Sequence, residues 1–386
     1  MKIAIDITHS PSGGAVTQIL KMLEVFNQID ELEIVIYSKK SNNNLISHLT
    51  ANNRVILSKL SDLSIIGRIL WGQLLLPFYL MRENVDVLFC PGNIGPIFSP
   101  VKTVIWIGTI GPFFKDFIKN FFWISKGQNK TKLYINRFFM VLSSFKADAV
   151  IFESQFTKEL FINRYNIKEK KSHVINIGFD EYFADNYRMI SNANGGTSKF
   201  NNNSKYILCV SHLYPYKNII RLLIAYKKVI DTSKTSAKLI IAGNGGYKHY
   251  DNKINRCIND LKINNNVVLL GGVSKKNLKE LYLNAYLLAF PSPFENFAYT
   301  LVEAMSCGTP IVCSNTTAIP ETCKNSALYF DPYDTFDMAE KISLLLENDI
   351  LREEMSKKSI QRARELPDYN QVTFRTLNIM KELINA

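Results

Sequence analysis

No two cysteines stand in C-x-x-C spacing. The six present (Cys90, Cys209, Cys257, Cys307, Cys313 and Cys323) are scattered, mostly inside apolar runs. In a chain of 386 residues this excludes a disulfide framework and a cysteine zinc site, and leaves reduced core thiols as the expectation. The N-terminal "MKIAIDITHS" lacks the long apolar region and cleavage site of a signal peptide, so a cytosolic protein is expected. A long uninterrupted apolar run is missing too. The richest stretch, "LSIIGRILWGQLLLPFYLM" at residues 63–81, is broken by Arg68, Gln73 and Pro77. That argues against a spanning helix and for one buried in the protein or seated at its surface. There is no short tandem repeat. Acids are the scarcer charge: 34 Asp and Glu against 46 Lys and Arg give a net +12. Such a balance favours anionic partners, whether phosphorylated metabolites, nucleic acid or an acidic membrane surface.

What is present is core-forming sequence in quantity. Hydrophobic residues make up 47% of the chain, and its length is more than one domain usually holds, so two domains are expected. Short β-branched runs alternate with helical patterns from end to end. "KIAIDI", "LEIVIYS", "VDVLFC", "KTVIWI", "DAVIFES" and "KSHVINIG" precede residue 180; "KYILCVS", "AKLIIAG", "NVVLLGG", "YLLAFPS" and "TPIVCS" follow residue 204. Strands apolar on both faces with helices between them make parallel sheets covered on both sides. Between the two sets lies "MISNANGGTSKFNNNSK", which has no apolar period and reads as a flexible linker. The expected fold class is therefore α/β, with two Rossmann-like parallel-sheet domains. The first covers residues 1–185 and the second residues 204–366. The helical tail, residues 367–386, is expected to return to the first. Ligands of such sheets bind beyond the carboxyl ends of the strands, and two sheets side by side would share a cleft there.

The polar motifs do follow strands. "HSPSGGAVTQIL" brings Gly13 and Gly14 to the start of a helix, where free amides suit an anion; a plain βα turn would need glycine as well. "VSHLYPYKNIIRLL" puts Lys217 just before a helix, a compact cation beside helix-start amides that suits a diphosphate. A solvated surface lysine is the plainer account. "KLIIAGNGGYKHY", with Gly243, begins like a dinucleotide fingerprint but has Lys248 in the place of the third glycine, so it gives support only.

The sharpest feature is "FENFAYTLVEAMSCGTP", which plants Glu295 and Glu303 in a segment that otherwise reads as core. A helix from near Asn296 to Cys307, stopped by Gly308, would separate the two acids by roughly 12 Å along its axis. That suits two distant hydroxyl-bearing parts of one elongated ligand, since a carboxylate can accept two bonds from a vicinal diol. Glu295 as a helix-dipole partner and Glu303 as an incidental acid is the alternative. The apolar neighbours Leu301, Val302, Ala304 and Met305 speak against it, because a partly buried acid needs a partner.

The run "PSPFENFAYTLVEAMSCGTPIVCSNTTAIPET" resembles the C-terminal signature of the retaining glycosyltransferase family 4, glycosyl transferases group 1. The family's Glu-x7-Glu spacing is met by Glu295 and Glu303. The Gly13–Gly14 loop, "KADAVIFESQFTKELF" with Ser154, "HVINIGFD", Lys217–Asn218 and "LIIAGNGG" fall in the family's order. The resemblance covers nearly the whole chain and is strongest over residues 204–330. It implies a GT-B fold, two Rossmann-like domains facing a central cleft, with acceptor bound by the first and nucleotide sugar by the second. It further implies that Glu303 binds the nucleotide ribose and Glu295 the transferred sugar. Lys217 would hold the diphosphate with amides near Phe297, Ala298 and Tyr299, and Gly13, Gly14, His212 and Gly243 would belong to the donor site. No obvious D-x-D motif is present, so no cofactor or metal is expected, only a UDP- or GDP-linked sugar as donor.

Two departures stand out. The family commonly has an arginine where this chain has His212, which leaves the diphosphate less fixed charge unless Arg221 compensates. A His-Asp pair common in the first domain is replaced by Gly108–Thr109. The activity implied is hexosyl transfer with retention onto a cell-envelope saccharide such as O-antigen, lipopolysaccharide core or capsule. A catalytically idle GT-B binding or scaffold protein is the competing reading. A Rossmann oxidoreductase is disfavoured by the broken glycine fingerprint. A nucleic-acid binder would explain the charge but not the carboxylate pair, so no nucleic-acid partner is expected. Residues 113–146 carry Lys115, Lys119, Lys126, Lys130, Lys132, Arg137 and Lys146 against Asp116. Phe113, Phe114, Phe117, Phe121, Phe122 and Trp123 are interleaved with them. This pattern predicts an amphipathic patch on an anionic membrane surface and a lipid-linked acceptor, unless the aromatics are core.

Overall fold

A computed structural model describes residues 1–9, 14–40, 53–63, 65–124, 130–184, 206–233 and 235–386. The linker expected over residues 189–205 lies outside them. The chain divides into two compact units.

The first unit comprises Met1–Phe113, Asn129–Gly178 and Pro367–Ala386. Its sheet contains β1 (Lys2–Asp6), β2 (Glu33–Lys39), β3 (Arg54–Ser58), β4 (Val87–Cys90), β5 (Lys102–Ile107), β6 (Ala149–Phe152) and β7 (Ser172–Val174). All are parallel, in the order β3-β2-β1-β4-β5-β6-β7. Strand interiors such as Ile3, Ile5, Val87, Phe89, Val104 and Ile151 are buried, because helices cover both faces. The last helix, Tyr369–Asn385, opens on a capping box between Asp368 and Gln371. It packs beside helix Gly14–Phe26 and adds Val372, Leu377 and Met380 to the core around Ile3 and Ile5.

The second unit comprises Phe114–Gln128 and Phe179–Leu366. Its strands are β8 (Tyr206–Val210), β9 (Lys238–Ala242), β10 (Val267–Gly271), β11 (Leu287–Phe290), β12 (Ile311–Ser314) and β13 (Ala327–Phe330). They run parallel in the order β10-β9-β8-β11-β12-β13, the same winding as in the first unit. Helix Ile219–Thr232 buries Leu222, Leu223, Tyr226 and Val229 against this sheet. In each sheet the strand order reverses beside the first strand, and the loops leaving the two central strands diverge there to leave a crevice. In the second unit those strands are β8 and β11.

Every strand expected from the sequence is present. Two were not foreseen, β3 and β13, and both are outermost in their sheets. Among the described residues no helix is long and apolar enough to cross a membrane. Residues 60–83 instead form a helical stretch, Leu60–Leu63, Ile65–Leu70, a π-turn Trp71–Leu75 and Leu76–Glu83. Of the aromatics read as an interfacial patch, Phe113 is buried against Phe161 and Tyr165. Phe114 and Phe117 pack on Phe294, and Phe117 also on Tyr216. The side chains of Phe121, Phe122 and Trp123 lie outside the described residues.

Candidate active site

The loops after β8 and β11 bring Lys217 and Glu295 into contact. Lys217 Nζ lies 2.6 Å from Glu295 Oε1, with the side chains 18% and 12% exposed. Asn218 makes this possible. It adopts the left-handed conformation at φ 65°, which asparagine tolerates better than most residues, and so turns the chain into helix Ile219–Thr232. Its buried side-chain amide donates to the carbonyls of Pro291 (3.1 Å) and Pro332 (2.7 Å), clamping three loops together. Arg221 donates to Asn218 Oδ1 at 3.0 Å and lies over the Tyr333 ring. Its guanidinium therefore supports the loop. Glu295 is fixed from the other side, its backbone N–H donating to Thr317 Oγ1 at 3.1 Å.

His212 is exposed and stacks on Tyr214, with ring centroids 5.4 Å apart. Gly243 holds the backbone beneath it. Its φ is 146°, its N–H donates to Gly271 O, and a Cβ there would sit 2.1 Å from Ser211 O. Only glycine fits so close an approach. The first glycine of "GNGG" thus shapes the loop that carries His212 and Lys217.

The helix bearing Glu303 begins later than its sequence pattern suggests. It spans Tyr299–Ser306, with Ala298 at the N-cap and Gly308 in the left-handed conformation after the last turn. Glu295 therefore stands in the preceding loop, so the axial spacing expected of a helix from Asn296 does not apply. Phe297 and Ala298 are buried, and Ala298 offers no side-chain acceptor to the first helical amides.

Glu303 has the partner that its burial requires. Tyr282 donates its phenolic O–H to Glu303 Oε2 at 2.9 Å. Among the described residues nothing donates to Oε1. Burial pushes the Glu303 carboxyl up to about 7, further raised by Asp180 and offset by Tyr282 and Lys275. Asp180 and Lys275 pair with one another, and Phe183 packs edge-on against Tyr282. The segment around helix Glu181–Ala184 thus closes the Glu303 end of the unit. Lys217 and Glu295 form one cluster, Glu303 and Tyr282 a second, with no direct contact between them. The sequence reading missed Tyr282 and Thr317, and named Asn218 only for its place in the family's order.

In the first unit, Gly14 opens helix Gly14–Phe26, while Gly13 lies outside the described residues. At Gly108 a Cβ would meet Glu153 Oε1 at 3.0 Å. The Gly108 and Thr109 amides donate to Asn93 Oδ1 at 2.6 and 3.1 Å, and Trp106 Nε1 donates to Glu153 Oε1. Glu153 fills the space that a side chain at position 108 would need. Ser154 caps the next helix, accepting from Thr157 N–H.

Comparison with known proteins fits this geometry. Residues 193–362 match the family model of glycosyl transferases group 1. O-antigen chain mannosyltransferase B of Escherichia coli is 31% identical over 178 residues, 46% of each chain. The N-acetylgalactosamine-N,N'-diacetylbacillosaminyl-diphospho-undecaprenol 4-alpha-N-acetylgalactosaminyltransferase of Campylobacter jejuni is 26% identical over 243 residues, 61% of each chain. The chain thus spans about half the length of the curated relatives it matches. Among solved structures, sucrose-phosphate synthase from Thermosynechococcus elongatus superposes with a TM-score of 0.74 at 16% identity, covering 100% of this chain and 99% of that one. Both Rossmann-like units are therefore those of the GT-B fold, and the second carries the sequence signature of glycosyl transferases group 1.

Proposed function

We propose that the chain is a retaining glycosyltransferase that moves a hexosyl unit from a nucleotide-diphosphate sugar to a growing, lipid-linked cell-envelope saccharide. The observation that carries this reading is the Lys217–Glu295 contact at the point where the second sheet reverses its strand order. A cation and a carboxylate placed there suit a diphosphate and the sugar attached to it. Glu303, with Oε1 open, takes the ribose diol. Lys217 takes the diphosphate together with the amides at Phe297, Ala298 and Tyr299. Glu295, released from Lys217 by the incoming phosphate, accepts bonds from the sugar hydroxyls. His212 and Gly243 border the donor.

In the transfer step the bond from the sugar C1 to the diphosphate oxygen breaks, its electron pair passing to the diphosphate. The acceptor oxygen bonds C1 on the same face, and its proton leaves with the diphosphate. The Lys217 ammonium and fixed N–H donors neutralise the charge that develops on the leaving group. These donors take the role a divalent ion fills elsewhere, so transfer proceeds without metal. Acceptor binding falls to the first unit. The relatives' names supply the class of acceptor: O-antigen chain in one, a diphospho-undecaprenol saccharide in the other. A lipid-linked acceptor places the protein in the cytoplasm at an anionic membrane surface.

A catalytically idle nucleotide-binding or scaffold protein is the second reading, favoured by His212 in place of arginine and by Arg221 being committed to Asn218. A screen of UDP- and GDP-linked sugars for hydrolysis or transfer, with Glu295→Ala as the blank, separates the two. Turnover above the blank is expected. Nucleotide binding with no turnover of any donor sugar would favour the idle protein.

A further inference from the structure

The second unit contains a piece of chain from the first half of the sequence. Residues Phe114–Gln128 leave the first unit after Phe113, and the chain rejoins it at Asn129. Within this piece Lys115–Ile124 forms a helix. Lys115, Asp116 and Lys119 are exposed, whereas Phe114 and Phe117 are half-buried and Ile118 is buried. That is the spacing of an amphipathic helix laid on a surface. The surface includes the turn Pro215–Lys217.

Phe117 touches both loops that carry the candidate site. Its ring centroid lies 4.7 Å from that of Tyr216 and 6.0 Å from that of Phe294, edge-on to the latter. Tyr216 immediately precedes Lys217, and Phe294 immediately precedes Glu295. Phe114 adds a further contact to Phe294 at 5.4 Å. One side chain thus packs on the residue before each member of the Lys217–Glu295 pair. Ring contacts of this kind contribute beyond the area they bury and prefer defined orientations. The Lys217 ammonium also lies 5.4 Å from the centroid of the Tyr216 ring, within reach of its π face. Burial pushes the Tyr216 phenol above its ordinary range, and the nearby Glu295 charge adds to the shift. Tyr333, in the loop after β13, feels the same helix. Burial raises its phenol, Asp116 raises it further and Arg221 offsets part of this.

The ion pair cannot by itself keep the two groups in register. In the function proposed above, Lys217 turns to the diphosphate and the 2.6 Å contact with Glu295 opens. Packing that involves neither charge must then hold the two loops at their separation. The contacts of Phe117 are of that kind, because they are made to the neighbouring rings.

We propose that Phe117 is a positioning residue for the donor site: packed on Tyr216 and Phe294, it holds Lys217 and Glu295 in register once a diphosphate has parted them. The inference rests on the nucleotide-sugar reading above and adds to it a residue outside the polar pair.

The test is calorimetric affinity for UDP against UMP and for GDP against GMP. Wild type is expected to bind the diphosphate more tightly, with Lys217 supplying much of the difference. Phe117→Ala should cut that preference about tenfold and leave monophosphate affinity unchanged. In a Lys217→Ala background the same change should have no further effect, since residues that act through one group are not additive. Phe117→Tyr keeps the ring and should restore the preference; Phe117→Leu keeps apolar bulk without the ring and should not. A merely structural role would lower both affinities alike and would persist without Lys217. Should Phe117→Ala fail to fold, Phe117→Leu carries the test. A diphosphate preference intact in Phe117→Leu, or a further loss in the Lys217→Ala background, would overturn the inference and leave the nucleotide reading standing. Wild type that binds none of the four nucleotides would sink that reading and this inference with it.

Discussion

The two units share one winding and use it differently. At the carboxyl edge of the second sheet, Lys217 and Glu295 hold each other, and Glu303 has one oxygen taken by Tyr282 and the other open among the described residues. At the same edge of the first sheet, among the described residues, Asp6, Asn93 and Glu153 are committed internally. Asp6 accepts from Thr8 N–H, Asn93 from the Gly108 and Thr109 amides, and Glu153 from Trp106. Burial pushes Asp6 up to about 6 and His9 down to about 4. A parallel α/β scaffold supplies the edge in both units, and side-chain partners decide which polar groups there keep bonding capacity for a ligand.

The largest effect that sharpens this contrast is on turnover. Lys217→Ala is expected to lower nucleotide-sugar turnover by about 100-fold or more, as loss of a fixed donor to a leaving group does. Glu295→Ala should act on turnover with little change in nucleotide affinity. Initial rates and calorimetric affinities check both. A Lys217→Ala enzyme as fast as wild type would erase the distinction between the two edges.

In the first unit the expected effect is on stability. Asp6 has a folded-state value above its ordinary one, so between about pH 4 and 6 the folded protein keeps a proton that the unfolded chain has released. Stability from this group is full below that window and is lost as pH rises through it. Asp6→Asn retains an acceptor for Thr8 and has no proton to lose. It should be the more stable form by about 2–3 kcal/mol above pH 6 and gain little at pH 4. Denaturant melts at the two pH values test this. An advantage independent of pH would show that Asp6 is not held protonated.

The smallest effect is a predicted zero. Chelation by EDTA should leave transfer unchanged, because Lys217 and helix-start amides are proposed to carry the leaving-group charge. Loss of activity restored by magnesium or manganese would contradict it.

How much of this was legible in the sequence also divides by unit. Apolar runs marked eleven strands because a buried parallel strand leaves a continuous apolar trace. β3 and β13, which carry exposed or half-buried residues, went unmarked. Glu295, Glu303 and Lys217 were visible since charge amid apolar or glycine-rich sequence is conspicuous. Tyr282 and Thr317 were not, nor was the clamping role of Asn218, because a hydrogen-bond partner many residues away leaves no local pattern. The helix start at Tyr299 rather than Asn296 is a loop decision, made by Thr316 and Thr317 bonding to Pro293 and Glu295. The stretch 63–81 was legible as a helix seated in or on the protein, but its π-turn at Trp71–Leu75 was not, because apolar composition does not reveal it.

The central claim is that the second unit binds a nucleotide through the Glu303 carboxylate. The direct measurement is calorimetric affinity for UDP and GDP across pH 5.5–8.5, for wild type and Glu303→Gln. Only the ionised carboxylate accepts both diol hydrogens, and burial pushes the Glu303 carboxyl up to about 7. Wild-type affinity should therefore rise about tenfold per pH unit up to that value and level off above it. Glu303→Gln should bind more weakly by about 1.5–3 kcal/mol at pH 8, with no such slope. A wild-type affinity that is flat with pH, or a Glu303→Gln variant that matches it throughout, would contradict the account.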